Sequence, residues 1–157
     1  MSGTVNVGVK APEFKLPSTV GREISLKSCK GKNVVLYFYP KDDTTACTKE
    51  AIAFTELKKK FDKNNTIIFG LSKDDIKTHE KFIAKYDLKI DLLSDVDGST
   101  CEAYGVWVEK NMYGRKYMGI ERSTFLIDAT GRVEKVWRKV KVAGHVEEVL
   151  ESVGSLK

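Results

Sequence analysis

One apolar run constrains the fold of this chain more than any other feature of its sequence. Residues 33–39 read Asn-Val-Val-Leu-Tyr-Phe-Tyr, a β-branched and aromatic stretch that lacks polar alternation. A strand of this composition is covered on both faces, as in the middle of a sheet that carries helices on each side. Pro40 follows and ends the predicted strand. The run is far too short to cross a bilayer, so we expect no membrane partner.

The segments that follow alternate in their predicted type. Apolar residues recur at helical spacing over residues 44–61, residues 66–71 form another apolar strand, and residues 74–86 carry a second amphipathic helix. Strands that alternate with helices in this way build a parallel sheet. The first half of the chain is therefore predicted to form a parallel βαβα core.

The second half changes to an antiparallel pattern. Two β-rich segments are separated by the turn signal Asp128-Ala-Thr-Gly131, which predicts a hairpin, whereas the polar stretch 109–117 is predicted as a flexible loop. Together these patterns predict an α/β, thioredoxin-like fold with a central mixed sheet flanked by helices, in a single domain of 157 residues. The remaining predicted elements are a short strand, a short helix, the two hairpin strands and a closing helix, at 91–93, 98–104, 123–127, 133–137 and 146–153.

The charge distribution and the cysteines limit the classes of function that the chain can have. The net charge of +5 comes from lysines that are interleaved with acidic residues, which indicates a solvated surface and no nucleic-acid partner. The N-terminus lacks a basic segment followed by an apolar one, so we expect a cytoplasmic protein. Three cysteines with neither C-x-x-C nor metal-ligand spacing favour a nucleophilic cysteine over a disulfide or a metal site. We expect no metal or organic cofactor.

Cys47 is the strongest candidate nucleophile. It lies in the first turn of the helix that begins at the carboxyl end of the central strand, where open α/β sheets place their ligands. If Thr44 or Thr45 is the N-cap, free backbone N–H groups and the helix dipole favour the thiolate. In the alternative reading Cys47 is a small apolar residue at a helix start and Thr44 merely a cap. The residues alone leave both readings open.

A family resemblance favours the first reading. Pro40-x-x-x-Thr44-x-x-Cys47 resembles the P-x-x-x-T-x-x-C signature of peroxiredoxins, and the surrounding sequence Tyr-Phe-Tyr-Pro-Lys-Asp-Asp at 37–43 resembles the bacterioferritin comigratory protein or peroxiredoxin Q branch. Thr45-Ala46 stands where this family commonly has Pro-Gly. The other segments that resemble the family are collinear with it, at 8–14, 92–95, 104–107 and 119–128.

The resemblance implies a thiol-dependent peroxidase for antioxidant defence. Cys47 would attack hydrogen peroxide or an organic hydroperoxide and become a sulfenic acid. Thr44 would hydrogen-bond the thiolate and the peroxide, Pro40 would shield the sulfur, and Arg122 would supply a permanent positive charge. The resemblance also implies a monomer or a weak dimer.

Two rival functions remain to be weighed. A thioredoxin-fold binding or chaperone module without turnover would keep the scaffold, although the joint presence of Pro40, Thr44, Cys47 and Arg122 argues against it. A Cys-His hydrolase would need a histidine beside the thiol. His79 lies among charged residues and His145 follows Ala-Gly, so both are expected at the surface.

The reductant follows from where the other cysteines lie. Many members of this branch carry a resolving cysteine five residues after the first, but here that residue is Ile52. Cys29 lies at the far end of a strand of about 3.3 Å per residue, roughly 20 Å from Cys47, and a disulfide needs Cα atoms within about 7 Å. Cys101 is at a position that the resemblance does not mark as resolving, and we expect it to be a buried structural thiol. We predict a one-cysteine cycle with an external thiol, from thioredoxin or a glutathione/glutaredoxin system. The alternative is an internal Cys47–Cys101 bridge.

Overall fold

The structure is a computed structural model that describes residues 5–156. Within that range no helix is both long enough and apolar enough to cross a membrane. The elements in chain order are β1 (Lys15–Pro17), β2 (Glu23–Ser25), a 3-10 helix (Lys27–Cys29), β3 (Asn33–Phe38), α1 (Thr45–Lys63), β4 (Thr66–Ser72), α2 (Ile76–Tyr86), β5 (Asp91–Ser94), α3 (Ser99–Ala103), β6 (Trp107–Met112), β7 (Arg115–Ile120), β8 (Ser123–Ile127), β9 (Val133–Trp137) and α4 (His145–Gly154).

A mixed sheet of five strands forms the centre of the molecule. Its strand order is β5-β4-β3-β8-β9, with β3, β4 and β5 parallel and with β8 and β9 antiparallel to their neighbours. The turn Asp128–Gly131 closes the β8–β9 hairpin through a hydrogen bond from Gly131 N–H to the Asp128 carbonyl at 2.9 Å. The predicted thioredoxin-like α/β fold with a central mixed sheet is confirmed.

The central strand β3 divides the core into two layers. Its side chains alternate, so that Leu36 and Phe38 pack in one apolar cluster and Tyr37 packs in the other. The first cluster also contains Cys29 and Cys101, whereas the second contains Cys47 with the buried faces of α1, α2 and α4. The sheet therefore separates Cys47 from the other two cysteines.

The predicted element boundaries agree with the structure to within two residues. The central strand ends at Phe38 instead of at residue 39, and α1 begins at Thr45. The second helix begins at Ile76 because Asp75 caps it, with its carboxylate accepting the Thr78 N–H at 2.8 Å. Helix ends are set by such local hydrogen bonds more than by apolar spacing.

The predicted loop at 109–117 was wrong, because this stretch lies in the β6–β7 hairpin. The pairing runs from Trp107 opposite Ile120 to Met112 opposite Arg115. Tyr113 and Gly114 form its two-residue turn with φ of 53° and 78°, the left-handed pair that suits a hairpin. Most of its side chains are exposed or only partly buried. It therefore lacks the alternation of apolar and polar residues by which strands are recognised.

Candidate active site

Cys47 lies where the sheet meets the start of α1. Thr44 is extended (φ −91°, ψ 159°), and the first helical hydrogen bond runs from Thr48 N–H to the Thr44 carbonyl at 2.8 Å. The amides of the three residues before Thr48 thus precede the first bond of the helix. Cys47 belongs to this first turn, where the amides and the helix dipole favour negative charge. It is 1% exposed.

Arg122 contacts the sulfur of Cys47 directly. Phe38 pairs with Ser123, which places Arg122 level with the end of β3, beside the start of α1. Its Nη2 donates to Cys47 Sγ at 3.2 Å, and its Nη1 donates to Glu50 Oε1 at 2.7 Å. The arginine side chain is only 13% exposed, so little water screens these contacts. A thiol, a guanidinium and a carboxyl group thus meet at the carboxyl edge of the sheet.

Glu50 completes this group and was not among the predicted site residues. It follows Cys47 by three residues on α1, which places both side chains on one helix face, and it is fully buried. Burial raises the pKa of its carboxyl group to about 7, while the Arg122 charge opposes the shift. The signal was present in the sequence: an acidic residue on the buried face of a helix requires a cationic partner.

We expect the stability of the protein to depend on the ionisation of Glu50. Its pKa in the folded protein, about 7, exceeds the ordinary value of 4.5, so in this window the folded state holds a proton that the unfolded chain has lost. This contribution is fully present below the lower value and is lost as the pH rises through the higher one. The shift corresponds to a free energy on the order of 3 kcal/mol.

Urea unfolding at pH 5, 6, 7 and 8 of the wild type and of Glu50→Gln measures this contribution. We expect the free energy of unfolding of the wild type to fall relative to that of the variant as the pH rises. The comparison with Glu50→Gln is needed because burial lowers the pKa of His145, which gives the opposite slope in part of this range. Parallel curves for the two proteins would contradict the prediction.

Thr44 and Pro40 flank the same turn. The Thr44 hydroxyl donates to the Lys41 carbonyl at 3.1 Å, within the loop that connects β3 to α1. Pro40 follows β3 and is exposed. The structure thus places all four predicted site residues at the carboxyl end of β3, and it brings Cys47 and Arg122 into contact. The roles of Thr44 toward a peroxide and of Pro40 as a shield remain predictions.

The other two cysteines lie in the opposite core layer. Cys101 on α3 is fully buried, and burial raises the pKa of its thiol, helped by the charge of Asp95. Burial likewise raises the pKa of Cys29. All three cysteines are free thiols. The predicted burial of Cys101 is confirmed, and both thiols are disfavoured as nucleophiles because the thiolate is the reactive form.

The expectation that both histidines lie at the surface was wrong. His79 is fully buried, with Nδ1 2.6 Å from Asp42 Oδ2, and His145 is 6% exposed, with Nε2 2.8 Å from Thr124 Oγ1. His79 precedes the buried Phe82 by three residues and shares its helix face, which the charged neighbours of His79 concealed.

One group of side chains has the donor types of a metal site. Asp42, Asp74 and His79 each offer a ligand atom, and these atoms lie within 4.8 Å of one another. Each residue already takes part in hydrogen bonds within the protein, and Asp74 Oδ2 accepts from Ser72 Oγ at 2.7 Å. We therefore read the group as a hydrogen-bond network and not as a metal centre.

Comparisons with known proteins agree with this geometry. The sequence model of the AhpC/TSA family matches residues 7–136. "Putative peroxiredoxin bcp" of Coxiella burnetii is 53% identical over 147 residues, covering 94% of this chain and 97% of the relative. "Peroxiredoxin Bcp" of Bacillus subtilis is 46% identical over 150 residues, covering 96% of each chain.

Solved structures that resemble this chain are also peroxiredoxins. The bacterioferritin comigratory protein of Xanthomonas campestris, described for its alkyl peroxide reduction activity, superposes with a TM-score of 0.89 at 41% identity, covering 96% of this chain and 98% of that one. A PrxQ mutant of Xylella fastidiosa gives a TM-score of 0.92 at 38% identity, covering 98% of both chains.

Fold and sequence together define a thiol-dependent peroxidase of the thioredoxin-like class. The chain belongs to the AhpC/TSA family and, within it, to the bacterioferritin comigratory protein or peroxiredoxin Q branch of the peroxiredoxins.

Proposed function

We propose that Cys47 is the peroxidatic residue and that it reduces hydrogen peroxide and organic hydroperoxides with the help of Arg122. The contact of 3.2 Å between Arg122 Nη2 and Cys47 Sγ carries this proposal. A guanidinium is always charged, and it directs several donors at fixed angles. Such a group stabilises a thiolate and also an oxygen that approaches it.

The reaction is an in-line displacement at the peroxide. The Cys47 thiolate attacks one oxygen, an S–O bond forms as the O–O bond breaks, and the second oxygen leaves as alkoxide or hydroxide and takes up a proton. The sulfur loses two electrons and becomes a sulfenic acid. Charge moves from sulfur to the leaving oxygen, so donors fixed beside both atoms lower the barrier. Arg122 and the free amides at the start of α1 are such donors.

Three further residues support this step. Glu50 accepts from Arg122 Nη1 and thereby fixes the guanidinium with Nη2 toward the sulfur. Thr44 can reach an incoming peroxide by rotation of its hydroxyl away from the Lys41 carbonyl. Pro40, beside the same turn, limits access of water to the sulfur. These assignments follow the site geometry and the family signature.

The cycle uses one cysteine and an external thiol. Cys29 and Cys101 lie in the core layer across the sheet from Cys47, and a disulfide requires Cα atoms within about 7 Å. A thiol from thioredoxin or from a glutathione/glutaredoxin system would attack the sulfenic sulfur and release water. A second thiol would then free Cys47 and leave the reductant as a disulfide. Such reducing systems operate in the cytoplasm, and we place this protein there. We expect it to be a monomer or a weak dimer.

Mass spectrometry under non-reducing conditions tests this cycle. After one equivalent of hydrogen peroxide we expect Cys47 to gain one oxygen and Cys101 to remain a thiol. Dimedone should trap the sulfenic acid at Cys47. An internal bridge would instead remove two hydrogens. The Cys101→Ser variant is the matched control and should keep its turnover with thioredoxin. A Cys47–Cys101 bridge as the major product, together with loss of turnover in Cys101→Ser, would show that the one-cysteine cycle is wrong.

A further inference from the structure

The loop that connects β3 to α1 is tied to α2 through a buried hydrogen-bond network. Asp42 Oδ1 accepts the Tyr39 hydroxyl at 2.5 Å, and Asp42 Oδ2 lies 2.6 Å from His79 Nδ1. The other ring nitrogen, His79 Nε2, lies 2.9 Å from the Leu93 carbonyl. The side chains of Asp42 and His79 are 1% and 0% exposed. A residue five positions before Cys47 is thus held by a helix that is distant in sequence.

The protons of this network can be assigned from its acceptors. A carbonyl oxygen only accepts, so His79 Nε2 must carry a hydrogen. The remaining bond, between His79 Nδ1 and Asp42, therefore contains a proton of its own, on one partner or the other. The pair is neutral overall, and all of its ring nitrogens and carboxyl oxygens are used. Removal of either member leaves a buried polar group without its partner, which makes the tie strong.

Further contacts fix the same loop to the same neighbour. Asp42 N–H donates to Asp74 Oδ2 at 2.8 Å, in the connection between β4 and α2. Asp43, whose φ is 60°, accepts from Lys85 Nζ at 2.8 Å and from the Tyr86 hydroxyl at the end of α2. The Asp43 contacts are exposed and contribute little, because solvent screens them. The buried Asp42–His79 pair therefore dominates the attachment.

Because Cys47 is buried, the attachment of this loop to α2 affects which molecules can reach its sulfur. Cys47 is 1% exposed, so a thiol carried on a protein cannot approach its sulfur to bonding distance, whereas hydrogen peroxide has only two heavy atoms and needs far less room. An S–S bond is about 2 Å long, so the attacking sulfur must touch the sulfenic sulfur. Reduction therefore requires the first turn of α1 to move outward. The two halves of the cycle need different positions of the loop.

We propose that Asp42 and His79 are positioning residues that hold the Cys47 turn in its buried, peroxide-reactive position and so limit the rate of its reduction. Neither residue touches the reacting atoms. The proposal rests on the proposed role of Cys47. If the Asp42–His79 pair is weakened, the outward position of the Cys47 turn becomes more populated at the expense of the buried one. The rate of reduction should then rise while the rate of oxidation by peroxide falls.

The test measures both half-reactions of His79→Gln by stopped-flow fluorescence. One is oxidation by hydrogen peroxide, and the other is reduction of the sulfenic acid by reduced thioredoxin. We expect reduction to be about threefold faster or more, and the ratio of reduction to oxidation rate constants to rise about tenfold. Hydrogen exchange of the amides at residues 41–50 should accelerate, while that of β4 should not.

Three other variants make the test specific. Asp75→Ala removes the N-cap of α2, at a residue that does not hold the loop, and should leave the ratio of the rate constants unchanged. Asp42→Asn keeps the shape of the side chain and should shift the ratio as His79→Gln does. The double variant should shift it no further than either single variant, because both substitutions break one unit. If His79→Gln does not fold, Asp42→Asn decides the question.

Several results would overturn the proposal. An equal fall of both rate constants in His79→Gln, or the same shift of their ratio in Asp75→Ala, would indicate general destabilisation. An unchanged ratio in Asp42→Asn would show that the pair has no such role. Failure of the proposed function would look different. In that case wild-type Cys47 itself would not react with peroxide, and no ratio could be measured for any variant.

Discussion

Replacement of Cys47 by serine is expected to abolish peroxide consumption. The attacking group must be an anion, and a serine hydroxyl stays protonated at neutral pH because an alcohol is a far weaker acid than a thiol. The variant should fold as the wild type does, because serine is slightly smaller and the buried contacts of α1 are otherwise unchanged. This change removes the nucleophile alone.

Peroxide loss in the presence of thioredoxin and its reductase measures the effect. Cys29→Ser is the matched control: it also removes a buried thiol, but from the core layer on the opposite side of the sheet, and it should keep nearly the full rate. Near-normal thermal unfolding of both variants would show that the difference is chemical. Substantial turnover by Cys47→Ser would refute the assignment of the nucleophile.

Replacement of Arg122 by alanine is expected to lower the second-order rate constant for peroxide by about 10²-fold or more, the scale of one preorganised donor. Arg122 contributes two contacts, one to Cys47 Sγ and one to Glu50. Its loss removes the positive charge beside the thiolate and also leaves a buried carboxyl group without its cation. Without Arg122 to oppose the effect of burial, the Glu50 carboxyl group takes up a proton and becomes neutral, so the expected loss of rate comes from the missing donor and charge beside the sulfur.

Stopped-flow oxidation of the reduced protein measures this rate constant directly. Arg132→Ala is a suitable control, since Arg132 lies in the β8–β9 turn region at the opposite end of β8 from Arg122 and is exposed. The rate constant of Arg122→Lys should lie between those of Arg122→Ala and Arg132→Ala, because lysine keeps the charge and loses the paired donors. A loss below about threefold in Arg122→Ala, which is less than 1 kcal/mol, would mean that another residue supplies the charge.

The sequence predicted the sheet better than it predicted the surface hairpin. The strand β8 is buried along its whole length and β3 is buried except at its first residue, so their composition alone identifies them. The strands β6 and β7 pair with each other outside the main sheet, and most of their residues are exposed or only partly buried. Their pairing depends on the turn at Tyr113-Gly114, which an apolar pattern does not report.

The candidate site was predictable in part, for a related reason. Cys47 has a local signal, its place in the first turn of a helix after a buried strand, and the family resemblance selected Arg122. Glu50 and His79 depend on partners 72 and 37 positions away in the chain. Burial of a polar side chain is decided by such distant partners, so spacing within one helix indicates the buried face but not what meets it there.

Under the proposed one-cysteine cycle, the position of the sheet between Cys47 and the other two thiols determines how the oxidised protein is inactivated. In a one-cysteine cycle no thiol of the same chain protects the sulfenic acid, so an external thiol and a second peroxide molecule compete for one sulfur atom. The first restores the enzyme, and the second carries Cys47 on to sulfinic acid, which thiols do not reverse. The lifetime of each molecule is then set by the ratio of reductant to peroxide around it. Such a catalyst suits low, steady peroxide and fails in a sudden excess.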